Sequence, residues 1–326
     1  MSIFQLPASD TVSAVAFPGL GIELNINRVA CLLFGRPIYW YGVIIGLGFL
    51  LAVWWCVRRA PRWGFRQDDL YDLLIAEVPL CLIGSRAYYV LFELDSYRRG
   101  DGTLDWGAIL RISDGGIAIY GTVIVSLVVL FVFCRWKKLS FLACGDLCVQ
   151  GLLIGQIVGR WGNFVNVEAF GGVTELPWRM SGTAAADFLR AGGQIGAETY
   201  EAIADGTLGV HPTFLYESLW NLAGLVLICL IAKKAYRFDG QLLLSYLFWY
   251  GLGRYWIEGL RTDSLYFFNL TLFGTPVRTS QALAFLSAAV AGGLLLYQLV
   301  FRRGKHRPLY AERLAAREAE EKETGD

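Results

Sequence analysis

Residues 152–172 read LLIGQIVGRWGNFVNVEAFGG, and the change of character inside this stretch decides how the chain is read. Leu152 to Val158 is apolar and suits the end of a membrane helix, yet Arg160, Asn163, Asn166 and Glu168 follow within the next ten residues. Polar and charged groups at the edge of hydrocarbon are expensive to bury unless they are paired. The rest of the chain must therefore supply partners, or the cluster must hold something.

The composition around this stretch is that of a membrane protein. Of 326 residues, 55% are hydrophobic and only 17% charged, and the mean hydropathy is +0.46. Soluble domains rarely combine so little charge with so much apolar content. A bilayer is crossed by roughly 20 apolar helical residues, and seven stretches are long and apolar enough: 38–57, 71–92, 117–136, 141–161, 213–232, 241–258 and 281–301. The expectation is an all-α polytopic membrane protein with about seven transmembrane helices (38–301), an external N-terminal arm (1–37), a small external cap inserted at about 167–212 and a charged cytoplasmic tail (302–326).

Basic residues orient it. Arg58, Arg59, Arg62, Arg66, Arg135, Lys137, Lys138, Lys233, Lys234, Arg237, Arg302, Arg303, Lys305 and Arg307 all fall in connections on one side. The other side holds scattered Arg residues (Arg28, Arg36, Arg98, Arg99, Arg111, Arg179, Arg190, Arg261, Arg278) in much longer segments, and no Lys. The positive-inside rule then places the N-terminus outside and the C-terminus in the cytoplasm. No basic residue precedes Arg28, so the first residues do not read as a secretory signal peptide. The arm's FPGLGIELNINR suits either a short interfacial helix or a strand. The seven cysteines lie mostly inside the spans without a CxxC pair and read as small hydrophobes, with no disulfide or metal role. No internal repeat or inverted symmetry is visible, which weakens a secondary-transporter reading.

The polar residues of the external half are the informative ones. Gly151, Gly155 and Gly159 recur every four residues and form a smooth stripe that admits a neighbouring helix or an acyl chain. Arg160 and Asn163 continue that helix on a shared face, and Gly171–Gly172 let backbone come close to whatever the polar groups hold. In the sixth span, YGLGRYWIEGLRTDS places Tyr250, Arg254 and Glu258 four apart on one face, with Arg261 about a turn beyond. Local readings exist for each: Arg160 snorkels, Asn163 caps, and Arg254 pairs with Glu258. Two spans that each bring an Arg and a Glu to one membrane surface suggest more. Guanidinium groups grip phosphate with paired hydrogen bonds, and the phosphate abundant in a membrane is a lipid headgroup. Tyr41, Arg86, Tyr120, His211, Tyr216 and Glu217 map to similar depth and suit structural, interfacial or binding roles; His306 in the basic tail reads as a solvated residue.

GRWGNFVNVEAFGG closely resembles the signature of the bacterial prolipoprotein diacylglyceryl transferases. YWYGVIIGLGF, GSRAYYVLFE, DGGIAIYG, HPTFLYES, YGLGRYWIEGLRTDS and RTSQALA follow in that family's order, covering about residues 38–301. The resemblance implies transfer of the diacylglyceryl group of phosphatidylglycerol to the lipobox cysteine thiol of a preprolipoprotein, forming a thioether and releasing glycerol phosphate, in the bacterial inner membrane and without metal or cofactor. It also implies the site residues Tyr41, Arg160, Asn163, Glu168, Gly171, Tyr250, Arg254 and Glu258, with Arg86 and Glu217 as weaker candidates. Arg160 and Arg254 are expected on the phosphate, Asn163 and Tyr250 on the headgroup, and Glu168 and Glu258 orienting the arginines.

One position departs from the pattern. Tyr120 stands where members of the family commonly carry a His, and a phenol, ordinarily ionising near 10, is a poor base at neutral pH. The thiol's proton is then left to a carboxylate, to lipid phosphate or to water, and Tyr120 to a hydrogen bond with substrate. Two other classes compete: a phospholipid-binding transporter or scaffold that performs no chemistry, and an intramembrane protease, for which the spans offer no Ser/His pair or aspartate pair.

Overall fold

The computed structural model describes residues 4–5, 12–112, 115–262, 266–272, 275–302 and 308–324; Arg303, Lys305, His306 and Arg307 of the basic tail lie outside them. The N-terminal stretch forms strands: β1 (Phe4–Gln5), β2 (Val12–Phe17), β3 (Ile22–Asn27), β4 (Val29–Leu33) and β5 (Arg36–Tyr39). FPGLGIELNINR is thus a hairpin and not an interfacial helix. Phe17 faces Ile22 across the β2–β3 pair, and Gly21, in the left-handed region, closes the Pro18–Leu20 turn.

Helices follow: α1 (Trp40–Arg59), α2 (Gln67–Phe92), α3 (Trp106–Leu110), α4 (Ile119–Trp136), α5 (Phe141–Asn166), α6 (Thr183–Ala191), α7 (Ala197–Ala204), α8 (Thr213–Lys234), α9 (Gln241–Leu260), α10 (Thr279–Leu296) and α11 (Tyr310–Thr324). The short strands β6 (Val173–Thr174), β7 (Gly209–Val210), β8 (Tyr266–Leu272) and β9 (Thr275–Arg278) pair as β6–β7 and β8–β9. Among the described residues, six helical segments are long and apolar enough to cross a membrane: Trp40–Trp63, Gln67–Phe92, Ile119–Trp136, Phe141–Asn166, Thr213–Lys234 and Ser280–Phe301. Their outer faces expose Leu50, Ile83, Val128, Leu219 and Leu286, as lipid-facing helices do. The remaining expected span, α9, has 20 residues, but Gln241, Ser245, Arg254 and Glu258 dilute its apolar character.

The chain divides into two compact units. The first comprises residues 1–55 and 148–307. Here α9 packs along both α8 and α10. The α8–α9 seam is closed by Trp220 and Trp249, whose rings stack 4.4 Å apart while each indole N–H donates to the other's carbonyl at 3.0 and 2.9 Å. The α9–α10 seam uses small residues: a Cβ on Gly251 would lie 2.6 Å from the Ala284 carbonyl oxygen and 3.0 Å from Ala288 Cβ. Helices without a hydrophobic drive between them approach closely through such seams. Where α1 crosses α5, Gly48 meets Val158 and the Gly155 carbonyl, but a side chain at Gly155 or Gly159 would touch nothing within 4 Å. Helix packing therefore accounts for only part of the glycine stripe.

The cap belongs to the same unit and shares a core with the arm. Val15 and Phe17 of β2 pack with Phe170, Met180, Leu189, Ile203, Val210 and Phe214. Ala16 and Ser181 also exchange backbone hydrogen bonds of 2.9 and 2.8 Å.

The second unit comprises residues 56–147 and 308–326. In it α2 packs along α4, where a Cβ on Gly121 would lie 2.6 Å from the Gly84 carbonyl oxygen. The tail forms a helix over Tyr310–Thr324: α11 is anchored by Tyr310, whose ring stacks 5.3 Å from Phe65.

Gly251→Val forces two methyl groups against the α10 backbone and should lower stability by about 1–3 kcal/mol, the usual cost of overpacking. Thermal unfolding in detergent is the measurement; an unchanged midpoint would show that the α9–α10 seam is loose.

Candidate active site

Glu217 lies one turn into α8, surrounded by an otherwise apolar helix, and is buried. Its carboxylate collects three guanidiniums from other segments of the first unit. Arg160 Nη2, from α5, lies 2.5 Å from Oε2. Arg254 Nη1, from α9, and Arg261 Nη1, just past the end of α9, lie 3.7 and 3.8 Å from Oε1. The sequence treats the Arg160 and Arg254 groups as separate pairs; the structure joins them through this one side chain.

The expected local pair on α9 is also present, with Arg254 Nη2 2.6 Å from Glu258 Oε2. Glu258 is itself buried, and its other oxygen accepts from Ser280 Oγ at 2.9 Å. Arg278 Nη1 donates to the carbonyls of Glu258 and, at 3.1 Å, Arg261. The end of α9 is therefore tied down by side chains from the start of α10. A cation at a helix C-terminus is favourable, because the last carbonyls have no intrahelical partners.

On the other side of Arg160 a neutral chain of contacts begins. Arg160 Nη1 donates to Asn163 Oδ1 at 3.4 Å, and Asn163 Nδ2 donates to Glu168 Oε1 at 3.0 Å. Asn166 Nδ2 reaches the same Glu168 oxygen at 3.4 Å. Glu168 and Asn166 open on a cavity of about 800 Å³ lined also by Arg28, Ile38, Tyr39 and Tyr41. Tyr41 feels the charges of both Glu168 and Arg160.

Gly171 and Tyr250 have well-defined surroundings. Gly171 does permit a close approach, but it is an approach of protein backbone: its N–H donates to the His211 carbonyl at 2.9 Å, and a Cβ there would lie 2.8 Å from His211 Cβ and 2.9 Å from the Leu260 carbonyl oxygen. Gly171 thus fixes how the chain leaves the site past the end of α9. Tyr250 stacks on Tyr246 at 5.5 Å, one turn before Arg254. Nearby, burial pushes His211 below the usual imidazole range, so it is neutral at pH 7, with Nδ1 3.3 Å from the Tyr216 hydroxyl.

Arg86 and Tyr120 belong to the second unit. Arg86 is buried, and all five of its N–H donors are taken by carbonyls: Nε by Ile109, Nη1 by Gly115 and Gly116, Nη2 by Ala108 and Arg111, at 2.6 to 3.3 Å. The sequence reading of Arg86 as a headgroup ligand is corrected on this ground, since a guanidinium has only five donors. It gathers the carbonyls of Ala108, Ile109, Arg111, Gly115 and Gly116 instead. Gly116 is required beside it, being at φ +77° with a Cβ position only 2.3 Å from Arg86 Nη1. Tyr120 stands half-exposed at the start of α4, its ring 6.4 Å from Tyr88.

The network's hub was the residue least visible in the sequence. Glu217 had one signal, a carboxylate inside an apolar span, and such a group needs a cation. Nothing in the local spacing shows which cation. Arg261, Arg278 and Ser280 join for the same non-local reason.

Arg160, Arg254 and Arg261 thus gather around Glu217, and Arg254 also meets Glu258. The Arg160 and Arg254 side chains both retain 21% exposure. Fixed cations in partly desolvated surroundings attract an anion far more strongly than in water. A phosphodiester, a single negative charge with oxygens that accept paired N–H donors, matches these two guanidiniums.

Comparison with known proteins converges on the same chemistry. Residues 28–297 match the family model described as prolipoprotein diacylglyceryl transferase. Proteins named phosphatidylglycerol–prolipoprotein diacylglyceryl transferase are similar over most of the chain. That of Lysinibacillus sphaericus is 40% identical over 277 residues, 85% of this chain and 94% of the relative. That of Oceanobacillus iheyensis is 38% identical over 275 residues, 84% and 88% of the two chains. That of Bacillus mycoides is 36% identical over 282 residues, 86% and 93%.

Glu217→Ala leaves three guanidiniums without their shared counter-charge. Removing one partner of a buried ion pair costs about 3–5 kcal/mol, so the variant should unfold at markedly lower temperature in detergent. Glu258→Ala, which breaks the pair with Arg254, should cost less; the reverse order would show that Glu217 is not the hub.

Proposed function

The chain belongs to the prolipoprotein diacylglyceryl transferase family, and from that membership we propose that it transfers the diacylglyceryl group of phosphatidylglycerol to the lipobox cysteine of preprolipoproteins. The products are a thioether and glycerol phosphate. The observation that carries this reading is the convergence of two partly exposed guanidiniums, Arg160 and Arg254, on the buried Glu217.

The geometry supports a division of labour. Arg160 and Arg254 hold the phosphodiester, and their donors strengthen as the leaving phosphate gains a second negative charge; preorganised stabilisation of this kind is commonly the largest single contribution to catalysis. Glu217 and Glu258 keep the guanidiniums in place, so that little reorganisation is needed at the moment of reaction. Asn163 and Tyr250 contribute headgroup hydrogen bonds, and Tyr41 lines the adjoining cavity. Gly171 and Arg86 act through backbone and loop placement. Tyr120 supplies a hydroxyl to the substrate.

A multi-pass protein with this activity works where its lipid is. We place it in the bacterial cytoplasmic membrane with the N-terminus outside, supported by the one-sided distribution of Lys and Arg. The arm (1–37) and the cap (167–212) then stand on the outer face and the tail (302–326) in the cytoplasm. Its partners are phosphatidylglycerol, the lipobox-bearing signal peptide and the bilayer itself.

Purified protein incubated with phosphatidylglycerol and a lipobox peptide should yield a diacylglyceryl adduct on the cysteine, seen by mass spectrometry. Binding of lipid with no adduct would point to the scaffold or transporter reading instead. Arg160→Ala and Arg254→Ala should each reduce the rate by about 10²–10³-fold, the loss typical of one charge-stabilising donor; full activity in either would sink this site assignment. In the same assay Tyr120→Phe should slow transfer, and near-normal transfer would remove any essential role for the hydroxyl.

A further inference from the structure

The site holds three carboxylates, and they are not equivalent. Glu217 is bound to three guanidiniums and Glu258 to Arg254 and Ser280. Glu168 differs. Among the described residues its side chain accepts hydrogen bonds only from two neutral amides, Asn163 and Asn166, and both go to Oε1. No guanidinium or ammonium lies within ion-pair distance of it among those residues. It also borders the 800 Å³ cavity, together with Tyr41, Asn166 and Arg28. The charged and titratable groups that share its cavity are Arg28 from the β3–β4 junction, Tyr39 from β5 and Tyr41 from α1, with Arg160 from α5 reached through Asn163.

From this asymmetry we infer that Glu168 is the general base that takes the proton from the attacking thiol, an inference that rests on the transferase reading above. A carboxylate already paired with arginine is a poor proton acceptor, because protonation would break the pair. Glu168 has no such pair to lose among the described residues, and Oε2 accepts no hydrogen bond from them while Oε1 is held by two amides. Glu168 is also joined to the phosphate-binding Arg160 by one side chain, Asn163. The base therefore stands beside the phosphate clamp, as attack at the carbon next to that phosphate requires.

The step balances without any further reagent. The cysteine S–H proton passes to Glu168 Oε2. The sulfur lone pair forms the bond to the diacylglycerol carbon that bears the phosphate, and the C–O bond to phosphate breaks. The departing glycerol phosphate takes that bond's electron pair as its second negative charge, facing Arg160 and Arg254. Glu168 then returns its proton to the leaving phosphate or to water. This supplies the role for which Tyr120 is chemically unsuited, and it differs from the arginine-orienting part that sequence spacing suggests for Glu168.

Glu168→Gln is the decisive substitution, because its carbonyl Oε1 can accept the same two amide hydrogen bonds while the basic oxygen is lost. General-base catalysis contributes about 10²–10⁴-fold, so transfer to a cysteine peptide should fall by at least about 100-fold while phosphatidylglycerol binding persists. A peptide with selenocysteine in place of the cysteine needs no base, since a selenol is already ionised at neutral pH. With that peptide the variant should come within about tenfold of the unsubstituted chain. An equal loss with both peptides would make Glu168 a positioning residue and overturn the inference, as would undiminished transfer to the cysteine peptide. Absence of any adduct with the unsubstituted chain would instead sink the transferase reading itself, and this inference with it.

Discussion

The first unit depends on a single buried carboxylate. Removing a carboxylate from water into a low-dielectric interior costs several kcal/mol even after relaxation, and only close opposite charge offsets that cost. Glu217 meets the requirement with guanidiniums from α5, α9 and the segment beyond α9. Between helices in hydrocarbon the hydrophobic effect offers no preference for one register over another. The register here is set by polar contact: α8 cannot slide along α5 or α9 without exposing Glu217 to hydrocarbon. The same contact that fixes the helices also fixes the direction in which Arg160 and Arg254 present their remaining donors.

This explains which parts of the site were legible in the sequence. Spacing rules are local, so they recover contacts within a helix: Arg254 with Glu258, four residues apart, and Arg160 with Asn163, three apart, are both seen. Contacts between helices require the packing, and so Glu217 gave a sign of need without a sign of partner. Arg86 gave the same sign and met a different end. Its charge inside an apolar span is satisfied by carbonyls that lie 22 to 30 residues later in the chain, an arrangement that no periodicity displays. Most spans were legible because a run of apolar residues is sufficient for them. α9 was legible too, at 241–258, although Gln241, Ser245, Arg254 and Glu258 weaken its apolar signal.

The arm and cap were less legible still. FPGLGIELNINR alternates well enough for a strand, but its choice of strand over helix depends on β2, its partner across the turn. β2 in turn is held by Ser181 and by a core built from Phe170, Met180, Ile203 and Val210, more than 150 residues away. That shared core gives the site a packed wall. The chain leaving α5 through Glu168 passes straight into it at Phe170 and is pinned at Gly171 and Gly172 to His211 and Leu260. The residue that faces the cavity is thus anchored on its C-terminal side by packing and on its N-terminal side by helix.

The charge balance itself is a compromise between folding and binding. Three arginines with three close carboxylates would be comfortable to bury but would offer nothing to a phosphate. Three arginines without carboxylates would attract phosphate strongly, yet like charges so near one another in low dielectric would drive the helices apart. With Glu217 and Glu258 engaged, Arg160 and Arg254 are held in place and still keep 21% of their side-chain surface open to an anion. Glu168 stands outside this balance, separated from Arg160 by the neutral Asn163. An amide at that position lets a carboxylate sit next to a phosphate clamp without being absorbed into it, so a cationic function and a basic one can occupy neighbouring turns of the same chain.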